Sequence, residues 1–380
     1  MNLYLNLYLN LKKKYINYKK NLIGGSYLIE SHGTLLLENN ICIYPELSIL
    51  LEDDIIGSGG SGSVNLGTII ECSINPILIN KTVAIKTFKD PKNKISEKEM
   101  LKKFTLDVDN ELLEISFIPT LYFDIISGPL KDKLVYEYGG NTLNTYFDSE
   151  NCNIKNNIHI MLQLFTVLYN LAKNHDNMQN DIKNLNITYN INRDEININL
   201  IDFGSSRSIN KLNNKDDNFK RRTNMNTPET IYNFLTNNNR LDLFLETTTE
   251  NETNIDEKYN NYNRWYYYPF ISIVCYIFTG NEYSSGKAGT LFIENLIDKT
   301  KILDESGNFQ MTLWKTEALN VLLNNDNVIR FLTEHLPEKF QPYLESILKP
   351  IINMICKPIP NERASEEEII SFLTQLLQYL

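Results

Sequence analysis

The chain has 380 residues, 42% hydrophobic and 22% charged, enough apolar material for the core of one or two soluble domains. A formal net charge of -10 excludes a basic nucleic-acid-binding surface as its main device. Five cysteines without C-x-x-C spacing and four scattered histidines exclude a disulfide framework and a zinc site, and point to reduced thiols inside a cell. Asn and Ile are abundant, as AT-rich codons would make them, so a single matching Asn carries little weight.

Residues 1–47 open with MNLYLNLYLNLKKKYINYKK, which repeats NLYL and then turns basic. Its period-2 alternation fits a strand, and the segment is expected to be a solvated extension. No apolar run in the chain is long enough to span a bilayer. Ser48 to Cys72 reads as a strand, a turn carrying Gly57, Gly59 and Gly62, and a second strand that takes in Val64. Dinucleotide folds put such glycines between a strand and a helix. Between two strands they favour a flap whose backbone N–H groups approach phosphates closely. Val83-Ala84-Ile85-Lys86 is the next strand, and Lys86 ends its apolar run, where an ammonium needs a partner. The acid-rich stretch Ser96 to Ile115 reads as a helix. Leu134 to Gly140 is an apolar strand released by two glycines. Ile158 to Ala172 has helical apolar spacing.

The densest stretch runs from Asn180 to Ser206. Asp181 keeps Lys183 and Asn186 in register, and Asp202 follows the apolar run Ile196 to Ile201. ITYNINRDEINI between them reads as two strands around a polar turn. That hairpin would bring the two acids to one end of a sheet, where metal and phosphate could lie between them. Ser205 to Thr227 is polar and holds Lys220, Arg221 and Arg222. Leu235 to Asn263 is aperiodic and rich in Asn and Glu, so a surface insertion is expected at 235–263. Pro269 to Gly280 reads as a buried core helix. Leu291 to Leu380 is helical by pattern, including Leu344 to Met354 and Ser365 to Leu380.

The glycine turn, V-A-I-K, D-x-K-x-x-N and D-F-G, in this order, resemble the motifs of the eukaryotic-type serine/threonine protein kinases over roughly residues 48–380. The resemblance implies an α+β, two-lobed fold: a small antiparallel sheet with one helix over 48–138, and a larger, mainly helical lobe over 139–380. ATP would lie between the lobes. Gly57, Gly59 and Gly62 would cover its phosphates and Val64 would pack on the adenine. Backbone groups of Glu137 and Tyr138 would pair with the adenine edge, and Tyr136 would narrow the back of the pocket. Lys86 would contact the α- and β-phosphates, held by a helix glutamate. Glu111 is the expected partner, because Ile115 and Ile118 then fall where the family's apolar helix residues fall; Glu114 and Glu99 are alternatives. Asp181 would orient the attacking hydroxyl, Lys183 would contact the γ-phosphate, and Asn186 and Asp202 would hold Mg²⁺.

Thr227-Pro228-Glu229 resembles the family's A-P-E element, and Arg363 stands where its arginine partner is expected. The family's H-R before the catalytic acid is Gln179-Asn180 here, which argues against activation through a loop phosphate. Its D-x-W-S-x-G is absent, with Tyr266 at the position of the acid. The expected activity is transfer of the ATP γ-phosphate to a protein hydroxyl. A pseudokinase that scaffolds ATP or a partner is the alternative, and the Glu229–Arg363 elements argue against a small-molecule kinase. A cytoplasmic monomer with a protein substrate is expected, and the composition resembles that of kinases of large DNA viruses, which would place it in a host cell.

Overall fold

The computed structural model describes residues 27–29, 34–36, 41–59, 62–106, 117–175, 177–179, 181–192, 195–208, 267–281, 283, 324–356 and 363–380. The chain divides into two compact units, residues 1–140 with 199–206, and residues 141–198 with 207–380.

The first unit is built on β1 (Tyr27–Ile29), β2 (Thr34–Leu36), β3 (Ile41–Tyr44), β4 (Leu47–Ser58), β5 (Gly62–Cys72), β6 (Thr82–Phe88), helix α1 (Pro91–Leu106), β7 (Leu121–Ile125) and β8 (Lys133–Glu137). They form one sheet in the order β1-β7-β8-β6-β5-β4-β3-β2. Its pairings are antiparallel except β1 on β7, which is parallel. The boundary expected at residue 48 therefore falls inside the sheet. The reason is local: Cys42 and Tyr44 on β3 are buried with Leu47 and Ile49 on β4, joined by a two-residue turn. Strands that share one buried face cannot be separate domains.

Register sorts the side chains onto two faces, because directly paired residues point the same way and neighbours along a strand alternate. Val83, Ile85, Phe123, Ile125 and Val135 lie in the hydrophobic cluster. Lys86 pairs with Val64 and with Leu134, Ala84 pairs with Tyr136, and Leu134 pairs with Asp124. Lys86, Tyr136 and Asp124 therefore share the opposite face, which α1 covers.

Helix α1 begins at Pro91, not at Ser96 as expected. Asp90 accepts from the Lys92 amide at 2.9 Å, and Pro91 needs no amide partner in the first turn. The β4–β5 turn forms as expected, and the Gly59 amide donates to Gly62 O at 2.9 Å. Gly62 is required by close approach: a Cβ there would lie 1.8 Å from Thr87 O.

The second unit holds β9 (Asn141–Thr142), α2 (Ile154–His175), β10 (Asn177–Met178), β11 (Ile187–Asn192), most of β12 (Glu195–Leu200), β13 (Arg207–Ser208), α3 (Tyr267–Thr279), α4 (Asn325–His335), α5 (Lys349–Ile355) and α6 (Glu366–Tyr379). Its core is where α2 and α3 meet, with the Phe165 and Phe270 rings 5.0 Å apart. Residues Phe270 to Phe278 on α3 are all buried, as a helix apolar on every side must be. The expected hairpin forms, since β12, β11 and β9 make a three-stranded sheet in that order. Gln163 on α2 braces it: its side chain donates to Ile196 O at 2.8 Å and accepts from the Ile198 amide at 2.9 Å. A capping box at Ser365 and Glu368 starts α6. The fold class is thus α+β, an antiparallel sheet with a helix in one unit and a mainly helical second unit. No helix among the described residues is long and apolar enough to cross a membrane.

Candidate functional site

The candidate side chains fall into two centres, one in each unit. The first is buried. Lys86 Nζ lies 2.6 Å from Glu97 Oε2 and 2.9 Å from Asp202 Oδ1. Tyr136 donates its hydroxyl to Glu97 Oε1 at 2.9 Å. Side-chain exposure is 9% for Lys86, 3% for Glu97 and 24% for Asp202, so only the last has an edge toward solvent. Burial alone would lower the proton affinity of Lys86, but the two carboxylates outweigh it and raise it. Burial pushes the Glu97 carboxyl up, against the pull of Lys86 and Tyr136.

Local structure places each of these groups. Lys86 is on the helix-covered face by strand alternation. Glu97 lies on one stripe of α1 with Lys94 and Lys98, at spacings that bring side chains to one face. Lys94 Nζ is 2.8 Å from Asp124 Oδ1 and Lys98 Nζ is 2.6 Å from Asp124 Oδ2, which ties α1 to β7. Asp202 follows β12 in a left-handed conformation, φ 61°, a region that Asp tolerates better than most residues. Phe203 beside it is buried.

Sequence reasoning named Glu111 as the partner of Lys86. The structure gives Lys86 a different glutamate, Glu97; Glu111, like the alternative Glu114, lies outside the described residues. The Asp90-Pro91 helix start was the missed signal, because it sets α1 earlier and puts Glu97 on its second turn. Val64 is half-buried and pairs directly with Lys86. Gly57 and Gly62 lie in the strands flanking the turn and Gly59 in the turn itself, where Lys89 Nζ donates to Gly59 O at 2.7 Å. Glu137 ends β8, its amide donating to Thr120 O at 2.8 Å, and Tyr138 follows it just before the chain leaves the unit.

The second centre is half-open. Lys183 Nζ lies 2.6 Å from Asp181 Oδ2, with side-chain exposures of 34% and 27%. Asn186 is buried, and its Nδ2 donates to Asp181 O and to Asp181 Oδ2, each at 2.8 Å. The Asp181 amide donates to the side chain of buried Gln179 at 3.3 Å, so Gln179 supports the loop. The D-x-K-x-x-N spacing thus folds into one cluster. Arg363 is buried. Its expected partner Glu229 lies outside the described residues, as do Asn180, Thr227, Tyr266, Lys220 to Arg222 and the insertion 235–263. Among the described residues no group of three or more His, Cys, Asp and Glu is placed to hold a metal.

No protein-family model matches the chain, and no curated protein matches its sequence.

Proposed function

We propose that the chain is a serine/threonine protein kinase that transfers the γ-phosphate of ATP to a protein hydroxyl. The observation that carries this reading is Lys86, a buried ammonium held between a helix carboxylate, Glu97, and the aspartate of Asp-Phe-Gly, Asp202. A buried lysine fixed by one acid beside a second, partly open acid that could take Mg²⁺ suits contact with the phosphates of a metal-bound nucleotide. In the other centre, Asp181 would orient the attacking hydroxyl. Lys183, held on Asp181, would neutralise charge on the transferred group.

Mg²⁺ takes hard oxygen donors, and this chain offers them. The Asn186 amide nitrogen is committed to Asp181, so its oxygen is the atom left to offer a cation, and the Asp202 carboxylate has an edge toward solvent. By the motif resemblance Asn186 and Asp202 are the residues assigned to Mg²⁺, each with an oxygen to offer, and the ion would offset charge on the phosphates. Everything else asked of the protein is positioning and electrostatics.

The test is purified protein with labelled ATP, Mg²⁺ and a generic basic or acidic protein substrate, with Asp181→Ala alongside. Phosphoserine or phosphothreonine formed by the wild type and lost in the variant supports the reading. Nucleotide binding without any transfer would favour the scaffold instead.

A further inference from the structure

Glu97 is only 2% exposed, and a buried carboxylate needs a donor on each oxygen. Lys86 fills Oε2 and the Tyr136 hydroxyl fills Oε1. The three groups come from adjacent strands and the helix that covers them. The Ala84–Tyr136 pairing puts the tyrosine on the α1 face, two residues along β6 from Lys86.

We propose that Tyr136 is a positioning residue: its hydroxyl holds one oxygen of Glu97 so that the other is presented to Lys86. The proposal rests on the kinase reading for its catalytic consequence, though not for the contact itself. Lys86 has a second carboxylate within reach, Asp202 at 2.9 Å. With Oε1 unfilled, Glu97 is free to turn away, and the ammonium is left leaning on Asp202. Tyr136 therefore sets how Lys86 is shared between the two acids. Burial, then the charge of Glu97, keeps the phenol protonated far above its ordinary range, so it remains a donor at every pH the protein would meet. This role belongs to the hydroxyl. The ring fills space whether or not the oxygen is there, and Tyr136→Phe separates the two.

The experiment uses the full chain without nucleotide. Trace acetic anhydride labels lysines at one fixed pH, and mass spectrometry follows the Lys86 peptide against an exposed lysine. Lys86 is enclosed by its contact with Glu97, and a Glu97 that turns away opens the ammonium to the reagent, so Tyr136→Phe should raise its labelling rate several-fold and Glu97→Gln should raise it further. The double variant should label no faster than Glu97→Gln alone, because Tyr136 acts through Glu97. Tyr136→Met, which also lacks the hydroxyl, carries the same expectation if the phenylalanine variant folds poorly. In transfer assays Tyr136→Phe should lower kcat/KM for ATP about tenfold, the scale of one hydrogen bond to a charged group. Lys86 labelling unchanged by Tyr136→Phe but raised by Glu97→Gln overturns the proposal, and so does a double variant that labels faster than Glu97→Gln. The expected labelling pattern in a protein that transfers no phosphate would leave the positioning role standing and remove the kinase reading.

Discussion

The Lys86 centre and the Asp181 centre use the same chemistry, a lysine on a carboxylate at 2.6 Å, in opposite environments. Glu97 is sealed under α1, whereas Asp181 and Lys183 each keep more than a quarter of their side chain exposed. A sealed pair is costly to break, because the remaining charge has no water to turn to. A half-open pair contributes little to stability, since water replaces either partner. One centre therefore bears on stability as well as on the proposed transfer, while the other bears on the proposed transfer alone. The difference follows from position: Glu97 sits between a sheet face and a helix, and Asp181 sits in the loop between β10 and β11.

The largest expected effect comes from breaking the sealed centre. Lys86→Ala should reduce transfer by about 10²–10³ and also cost about 3–5 kcal/mol of stability, the scale for stranding a buried charge. Lys86→Met with Glu97→Leu should recover much of the stability and none of the activity. Denaturant titration beside initial rates separates the two effects, and an unchanged midpoint in Lys86→Ala would show that Glu97 is not sealed. The mirror experiment is Asp181→Ala, for which transfer should fall on the same scale of about 10²–10³ while stability changes by about 1 kcal/mol or less. A large loss of stability there would erase the contrast between the centres.

A smaller effect tests the turn beside the sealed centre. Gly62→Ala puts a methyl onto a strand carbonyl and should destabilise the protein by about 1–3 kcal/mol, read by thermal melting. A neutral result would mean that β5 and β6 separate at no cost.

The smallest effect concerns the anchor of α1. Burial alone would raise the Asp124 carboxyl, but hydrogen bonds and charge from Lys94 and Lys98 hold it below its ordinary value of 3.8. A carboxyl lowered in the folded state stabilises fully above that ordinary value, and the contribution disappears as pH falls through the folded one. Wild-type protein should therefore lose stability on acidification more steeply than Asp124→Asn, with the curves converging at the acid end. Parallel curves at all pH values would argue that Asp124 does not anchor α1.

Much of this is legible in the chain itself. The two strands around the glycine turn follow from alternation and turn chemistry, and α2, α3 and α6 follow from apolar spacing and caps. Lys86 at the end of an apolar strand demands a partner whichever way the chain folds. Asp181, Lys183 and Asn186 form a cluster because their spacing spans one tight loop, and contacts that short are written in the sequence. The partner of Lys86 is not so written. Glu97, Glu99, Glu111 and Glu114 all lie in one acid-rich stretch, and only the start of α1 and its seating on the sheet select Glu97. Tyr136 and Asp124 look like ordinary strand residues in the sequence, and their roles arise from the register of β6, β7 and β8, which places them opposite α1. The strands before residue 48 join the sheet through backbone pairing that only the fold sets, β2 on β3, β3 on β4 and β1 on β7. Sequence determined what each segment prefers and which charges need partners. Tertiary packing decided which partner each one received, because a buried ion pair forms with whichever group the fold brings within reach, however far away it lies along the chain.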